Sequence, residues 1–146
     1  MGLAGLLFLG ACKKDDDKTT NTDGTPSIVG KNNQQIFMMQ KWHLKSWRDS
    51  TMTADAEAVE ACMKDDTYEF KTTTLYELNR MATVCISGEP TTENYSWSMA
   101  SGSSNTVTIF GKSYTISKMT GDNIIIFREY PASGGYGKQT IIFSRK

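Results

Sequence analysis

From Trp42 onward, short stretches of alternating apolar and polar residues recur along the chain, and no interval between them is long enough for a crossover helix. Parallel pairing needs connections of about a dozen residues or more, so this spacing confines the chain to antiparallel sheet. The first stretch lies in "IFMMQKWHLKSWRDS", where Met38, Trp42 and Leu44 fall on one parity and Lys41, His43 and Lys45 on the other. A period of two predicts a strand. Seven more stretches follow, over 67–71, 74–78, 95–99, 106–110, 113–117, 123–130 and 139–145, which makes eight. The separators are turn chemistry: Gly88 and Pro90, "ASGSSN", the single Gly111, "TGDN" and "PASGGYG". Residues 53–62, "TADAEAVEAC", are rich in Ala and Glu with Thr53 able to cap, and they predict a short helix or helical turn.

The same alternation predicts the faces. Tyr68 and Phe70, then Tyr95, Trp97 and Met99, Val107 and Ile109, and Tyr114 and Ile116 each share a parity, while Glu69, Ser96, Ser98, Thr108 and Thr115 oppose them. The first set is expected inside. "NIIIF", residues 123–127, is apolar on both parities and predicts a strand covered on its second face by the chain ahead of Trp42. Eight short antiparallel strands in sequence order can close into an up-and-down barrel and so remove their edges; a β-sandwich satisfies the same pattern. At 146 residues there is room for one modest core.

The front of the chain has a different character. An apolar run over 3–10 is too short for a bilayer span, which takes about 20 residues, but matches the hydrophobic region of a signal peptide. Leu9, Gly10, Ala11 and Cys12 resemble the lipobox of bacterial lipoproteins, in which the thiol receives diacylglycerol and cleavage leaves it as the first residue. Two or three acyl chains, at about 0.8 kcal/mol per buried methylene, make such an attachment effectively permanent. Lys13 after the cysteine resembles the sorting pattern for the outer membrane, and Lys14, Asp15 and Asp16 resemble an acidic surface-export signal. "KKDDDKTTNTDGTPS" offers no apolar residue to bury and is expected to be a solvated tether. The organisation this implies is a cleaved signal peptide over 1–11, anchor and disordered linker over 12–35, and a folded domain over 36–146.

From Trp42 to the end, the chain resembles the lipocalin-like domains of exported bacterial lipoproteins. The resemblance rests on a W-x-L-x-x-W opening at Trp42, Leu44 and Trp47, then C-x-K-D-D-x-Y-x-F at Cys62, Lys64, Asp65, Asp66, Tyr68 and Phe70. It continues through Cys85, Trp97-Ser98 and "SYTISKMTGDNIIIF". Gln40 stands where the wider superfamily usually has Gly. The fold implied is all-β, an eight-stranded antiparallel up-and-down barrel with one short helix, behind a lipidated flexible tether.

Composition and cysteine usage limit the function. Sixteen basic residues balance sixteen acidic ones, with no basic block to displace counterions from phosphate, which argues against a nucleic-acid partner. Of three cysteines, Cys12 is assigned to lipid; Cys62 and Cys85, in a compartment where disulfides persist, are expected to pair. A zinc site lacks ligands, since His43 is the single histidine and lies far in sequence from both thiols. A Ser-His-Asp arrangement would have to use His43 and lacks a Gly-x-Ser-x-Gly elbow. "SGGYG" has neither the helix nor the lysine of a phosphate loop. Neither cofactor, metal nor catalysis is therefore expected. The expectation is an outer-membrane, lipid-anchored lipocalin-like protein, exposed at the cell surface or facing the periplasm. It would bind a small apolar ligand along Trp42, Leu44, Tyr68, Phe70, Tyr95, Trp97 and Tyr114, with an envelope protein as a second kind of partner. The alternative is a filled barrel that serves as an interaction, inhibitor or structural module.

Overall fold

The computed structural model describes residues 23–51 and 55–145; Cys12 and the proposed signal peptide lie outside the described residues. One helix, Asn33–Met38 (α1), precedes strands Trp42–Ser50 (β1), Asp55–Glu57 (β2), Thr67–Phe70 (β3), Leu75–Asn79 (β4) and Thr92–Ser96 (β5). Ser98–Met99 (β6), Thr106–Ile109 (β7), Lys112–Met119 (β8), Asn123–Ala132 (β9) and Gly135–Ser144 (β10) complete the sheet. Every pairing is antiparallel. The order is β5-β4-β3-β1-β10-β9-β8-β7-β6, with β2 added to β1.

The fold is all-β, but the hydrogen-bonded path is open. Its two ends, β5 and β6, are consecutive in the chain and separated by Trp97 alone. The run 92–99 thus pairs with β4 through its first part and with β7 through its last, and the ladder is interrupted between them. Trp97 N–H still donates to Thr74 O at 3.0 Å, and its indole donates to Thr72 O at 2.8 Å, so the crossing residue is tied to the β3–β4 turn.

Two expected elements differ. The residues before Trp42 are helical rather than the start of a strand: the Asn32 side chain accepts from Gln35 N at 2.9 Å while the Gln35 carboxamide accepts from Asn32 N at 2.9 Å. That reciprocal pair is a capping box, which satisfies amides that a helix start otherwise leaves open. The helix was expected over 53–62; residues 53 and 54 lie outside the described residues, and in the rest are β2 and a 3-10 turn at Ala61–Met63. A helix of that length is marginal by itself, and Glu57 has a better set of partners: its carboxylate accepts from Ser46 Oγ at 2.8 Å and from Trp47 N at 2.7 Å.

The core is one cluster. Trp42, Leu44, Phe70, Val107, Ile109, Tyr114, Ile124, Ile126, Ile141 and Phe143 are almost fully buried, with Ile36 and Phe37 of α1 set beneath them. We call the α1 end the lower end. There Gln34 N donates to Gly102 O at 2.9 Å and the Gln40 carboxamide to Gly121 O at 2.8 Å. Thr25 is buried and its hydroxyl donates to Asp122 Oδ2 at 3.2 Å, while Arg145 pairs with Asp122 at 3.1 Å. The chain entering from the N-terminus therefore packs against this end. The 3-10 turn, the 80–91 loop, the Phe110-Gly111 turn and the β9–β10 hairpin form the opposite, upper end.

Candidate ligand-binding site

Along β1 the inward parity is switched once. Leu44 pairs with Phe143 and Ser46 with Ile142, so Lys45 is an extra residue, a bulge. A single inserted residue reverses which face the following side chains meet. Trp42 and Leu44 face the core below the bulge, and Trp47 joins that face above it, with its ring stacked on Phe110 at 5.1 Å and 28°. Phe110 is the first residue of the two-residue β7–β8 turn and has φ 55, followed by Gly111 at φ 68. Two positive φ values are the mark of a type I′ hairpin turn, which favours Asn or Gly at the first position. A phenylalanine held there is strained. Its ring meets Tyr68 at 6.1 Å, Tyr76 at 6.0 Å and Phe143 at 6.4 Å.

Opposite Phe110, Tyr95 of β5 stacks on Tyr76 at 5.5 Å and 23°. Between these two ring pairs lies a cavity of about 400 Å³, walled by Trp47, Tyr68, Tyr76 and Tyr95 with Met63, Leu78, Ser96 and the Phe110-Gly111 turn. Tyr95 and Ser96 belong to the last residues of β5, and Phe110 and Gly111 cap β7. The cavity thus lies where the sheet's ladder is open. Its volume falls within the roughly 300–1,000 Å³ of small-molecule sites.

Of the residues expected to bind a ligand, Tyr68 and Tyr95 line this cavity. Tyr95 was expected inside with Trp97 and is instead 38% exposed, because β5 ends at an open edge and leaves one face of the ring uncovered. Trp42, Leu44, Phe70, Trp97 and Tyr114 fill the interior instead. Trp42 donates its indole N–H to Phe37 O at 2.9 Å, and Phe70 packs edge-on against Phe37 at 4.9 Å and Trp97 at 4.8 Å. The Tyr114 hydroxyl donates to Gln139 Oε1 at 2.7 Å, which also accepts from Arg128 Nε at 2.9 Å. Trp47, Tyr76 and Phe110 are wall residues that alternation did not select. Trp47 carried a signal, because Trp42 and Trp47 in W-x-L-x-x-W sit on opposite parities and only a bulge puts both inside.

The electrostatics of the site are those of a neutral aromatic enclosure. Burial pushes the Tyr68 and Tyr76 phenols well above their ordinary range, with neighbouring Asp66 adding to the effect on Tyr68. The Tyr95 hydroxyl donates to Glu93 Oε2 at 2.6 Å, and Glu93 is paired with Arg80 at 2.6 Å. The Trp47 indole nitrogen is buried and has no hydrogen-bond partner among the described residues.

Above Met63 the wall is stapled. Cys62 and Cys85 form a disulfide with Cα atoms 5.3 Å apart. Asp65 Oδ2 accepts from the amides of Ala82 and Thr83, each at 3.2 Å, which holds the same loop. Asp66 is buried, and desolvation, followed by repulsion from Asp65, raises its carboxyl above the ordinary value. Among the described residues, Glu60, Cys62 and Cys85 are the group close enough to share a metal, but the two sulfurs are bonded to each other, which leaves one carboxylate. A wider crevice of about 610 Å³ on the outer face brings His43, Asp65 and Ser144 to one wall, with His43 and Ser144 in register across β1 and β10.

No protein-family profile, curated protein sequence or solved structure matches this chain.

Proposed function

We propose that this chain is a lipid-anchored, non-catalytic β-barrel protein of the bacterial outer membrane that binds a small apolar molecule in the aromatic cavity at its upper end. The observation that carries the binding reading is the cavity of about 400 Å³ enclosed by Trp47, Tyr68, Tyr76, Tyr95 and Phe110. The barrel reading is supported by the topology: with β2 set aside and 92–99 counted as one run, eight antiparallel runs remain, and the two ends of the sheet lie on the same run. Export is supported by the Cys62–Cys85 bridge, which persists in oxidising compartments. The anchor reading rests on Leu9, Gly10, Ala11 and Cys12 alone.

Mass spectrometry of the native protein extracted in mild detergent tests the anchor, the bridge and the binding role. The expected mass includes an acylated Cys12, lacks residues 1–11, shows the loss of two hydrogens for the bridge, and carries a small molecule lost on denaturation. An intact, unmodified leader would overturn the anchor. A filled interior that takes up no apolar probe would overturn the binding role.

A second reading has its own observation. Met81, Val84 and Ile86 on the stapled 80–91 loop are 55%, 38% and 64% exposed, and Tyr136 on the β9–β10 hairpin is 75% exposed. Apolar side chains displayed on the upper rim suit contact with an envelope protein. Substituting all three loop residues by Ser separates the readings: pull-down of a partner would be lost, whereas probe binding in the cavity would stay.

A further inference from the structure

The aromatic cavity opens beside a stretch of backbone that the sheet leaves unused. β5 ladders to β4 on one side, and among the described residues nothing pairs with its other side. Arg80 N donates to Thr91 O at 2.8 Å and Trp97 N to Thr74 O at 3.0 Å, which fixes the alternation between them. In an antiparallel pair every second residue turns its N–H and C=O to the neighbour. Glu93 and Tyr95 therefore serve β4, and Thr92, Asn94 and Ser96 turn theirs to the open side. The cause is the short β7. Ser98 pairs with Thr108, so Ser96 would meet Phe110, where the chain already turns back into β8. Thr92, Asn94, Tyr95 and Ser96 are exposed.

Such an edge is a template for another strand, and natural edges are commonly blunted by Lys, Pro or a bulge. β5 contains neither Lys nor Pro, and its register with β4 is unbroken. An antiparallel strand added there would place its inward side chains opposite Tyr95 and Glu93. The first would reach the cavity that Tyr95, Ser96 and Phe110 border. The second would meet a carboxylate whose bonds from the Tyr95 hydroxyl and from Arg80 both fall on Oε2. Side chains directly opposite in a sheet interact, and opposite charges are favoured there. A second copy of this chain fits poorly: paired about Asn94, its residue opposite Tyr95 would be Glu93, a carboxylate aimed at an aromatic wall.

We propose that the free edge of β5 binds an extended segment of another protein as an added antiparallel strand, in which an apolar residue enters the aromatic cavity and a basic residue two positions on meets Glu93. Main-chain bonds to Thr92, Asn94 and Ser96 hold the segment, and the two inward side chains select it. The site goes beyond the small-molecule role and rests on it, because the apolar side chain occupies the same cavity.

The test uses the full mature protein in detergent and synthetic peptides of the form acetyl-Thr-X-Thr-Lys-Thr-amide, with X as Phe, Leu or Ile, followed by tryptophan fluorescence. At least one is expected to saturate below about 1 mM, to compete with naphthalene, and to slow hydrogen exchange at the Asn94 amide. N-methylation of the central Thr, which pairs with Asn94, should weaken binding about tenfold, whereas N-methylation of the Lys, whose amide points away from β5, should be tolerated. A Glu in place of the peptide Lys should weaken binding about fivefold; equal binding would overturn the basic position. Asn94→Pro removes an amide that faces the open side without breaking the ladder to β4, and is expected to abolish peptide binding while naphthalene still binds. If naphthalene binds and no peptide does, or if the peptide methylated at its central Thr binds as tightly as its parent, the added strand is overturned and the cavity's binding role stands. If light scattering shows dimers that Asn94→Pro dissolves, a second copy holds the edge and the proposal fails. If neither naphthalene nor any peptide binds, the added strand and the binding role both fail. Should Asn94→Pro not fold, the two N-methylated peptides decide the matter alone.

Discussion

Asp66 is the residue whose surroundings oppose its charge most clearly. It is buried, one of its carboxylate oxygens has no hydrogen-bond partner, and its carboxyl is raised above the ordinary value of 3.8, first by desolvation and then by Asp65. A carboxyl with a folded pKa above its unfolded one binds its proton more tightly in the native state, so stability falls as pH rises through that window. The charged form is then a burden at neutral pH. Asp66→Asn is expected to raise the unfolding midpoint in denaturant at pH 7, and the gain should shrink as the pH falls and disappear below the ordinary value of 3.8, where the carboxyl is protonated in both the folded and the unfolded chain. A gain that stays constant down to that pH would mean that side-chain packing, rather than charge, is responsible. At neighbouring Asp65, by contrast, Oδ2 has two amides to serve, so loss of that side chain should loosen the 80–91 loop.

Two elements set the geometry of the site, the bulged strand β1 and the β7–β8 turn. At the turn, Phe110→Asn gives the backbone the residue a type I′ turn favours but removes the ring that meets Trp47, Tyr68 and Tyr76. Relief of a left-handed residue, about 1 kcal/mol, is outweighed by the loss of a partly buried ring that meets four others, each pair worth about 0.5–1.5 kcal/mol beyond its area burial. Thermal stability should therefore fall, and affinity for an apolar probe should fall about tenfold, as read by tryptophan fluorescence titration. The stapled loop contributes through a covalent link. Replacing both Cys62 and Cys85 by Ser opens a covalent loop with a sequence separation of 23. The loop-entropy relation puts the loss near 3 kcal/mol, measurable as a lowered denaturant midpoint. Probe binding should weaken with it, because Met63, next to Cys62, forms part of the cavity wall.

At the scale of the whole molecule, the N-terminal approach and the cavity lie at opposite ends. Thr25 and Gly24 are fastened to Asp122 and Arg145 beneath the sheet, whereas Phe110, Tyr95 and Trp47 surround the upper opening. A lipid anchor at Cys12 would join the domain from its lower end, opposite the cavity. Cys12→Ser in the full chain is accordingly expected to move the protein from the membrane fraction to the soluble one without changing probe affinity or stability. In either form, a probe at 100 times its dissociation constant should add about 2.7 kcal/mol to the free energy of unfolding, seen as a concentration-dependent rise in Tm. Membrane association that persists without the Cys12 thiol would count against the anchor.

Alternation and turn residues determined that the domain is antiparallel sheet, because a period of two and short connections have few other solutions, and they determined much of the core through Trp42, Phe70, Val107, Ile109 and Tyr114. The Cys62–Cys85 pairing was read instead from the cysteine count and the expected exported compartment, and the bridge is present. Tertiary structure decided the rest. Local pattern suggested a helix over 53–62, but Glu57 finds its partners on β1, which lies outside any local window. The cavity depends on a bulge at Lys45 that turns Trp47 inward, on a turn residue in an unfavoured conformation, and on a ladder that opens between β5 and β6. Each is a departure from the regular pattern stabilised by contacts distant in sequence, and of the three only the bulge left a trace along the chain, in the opposite parities of Trp42 and Trp47.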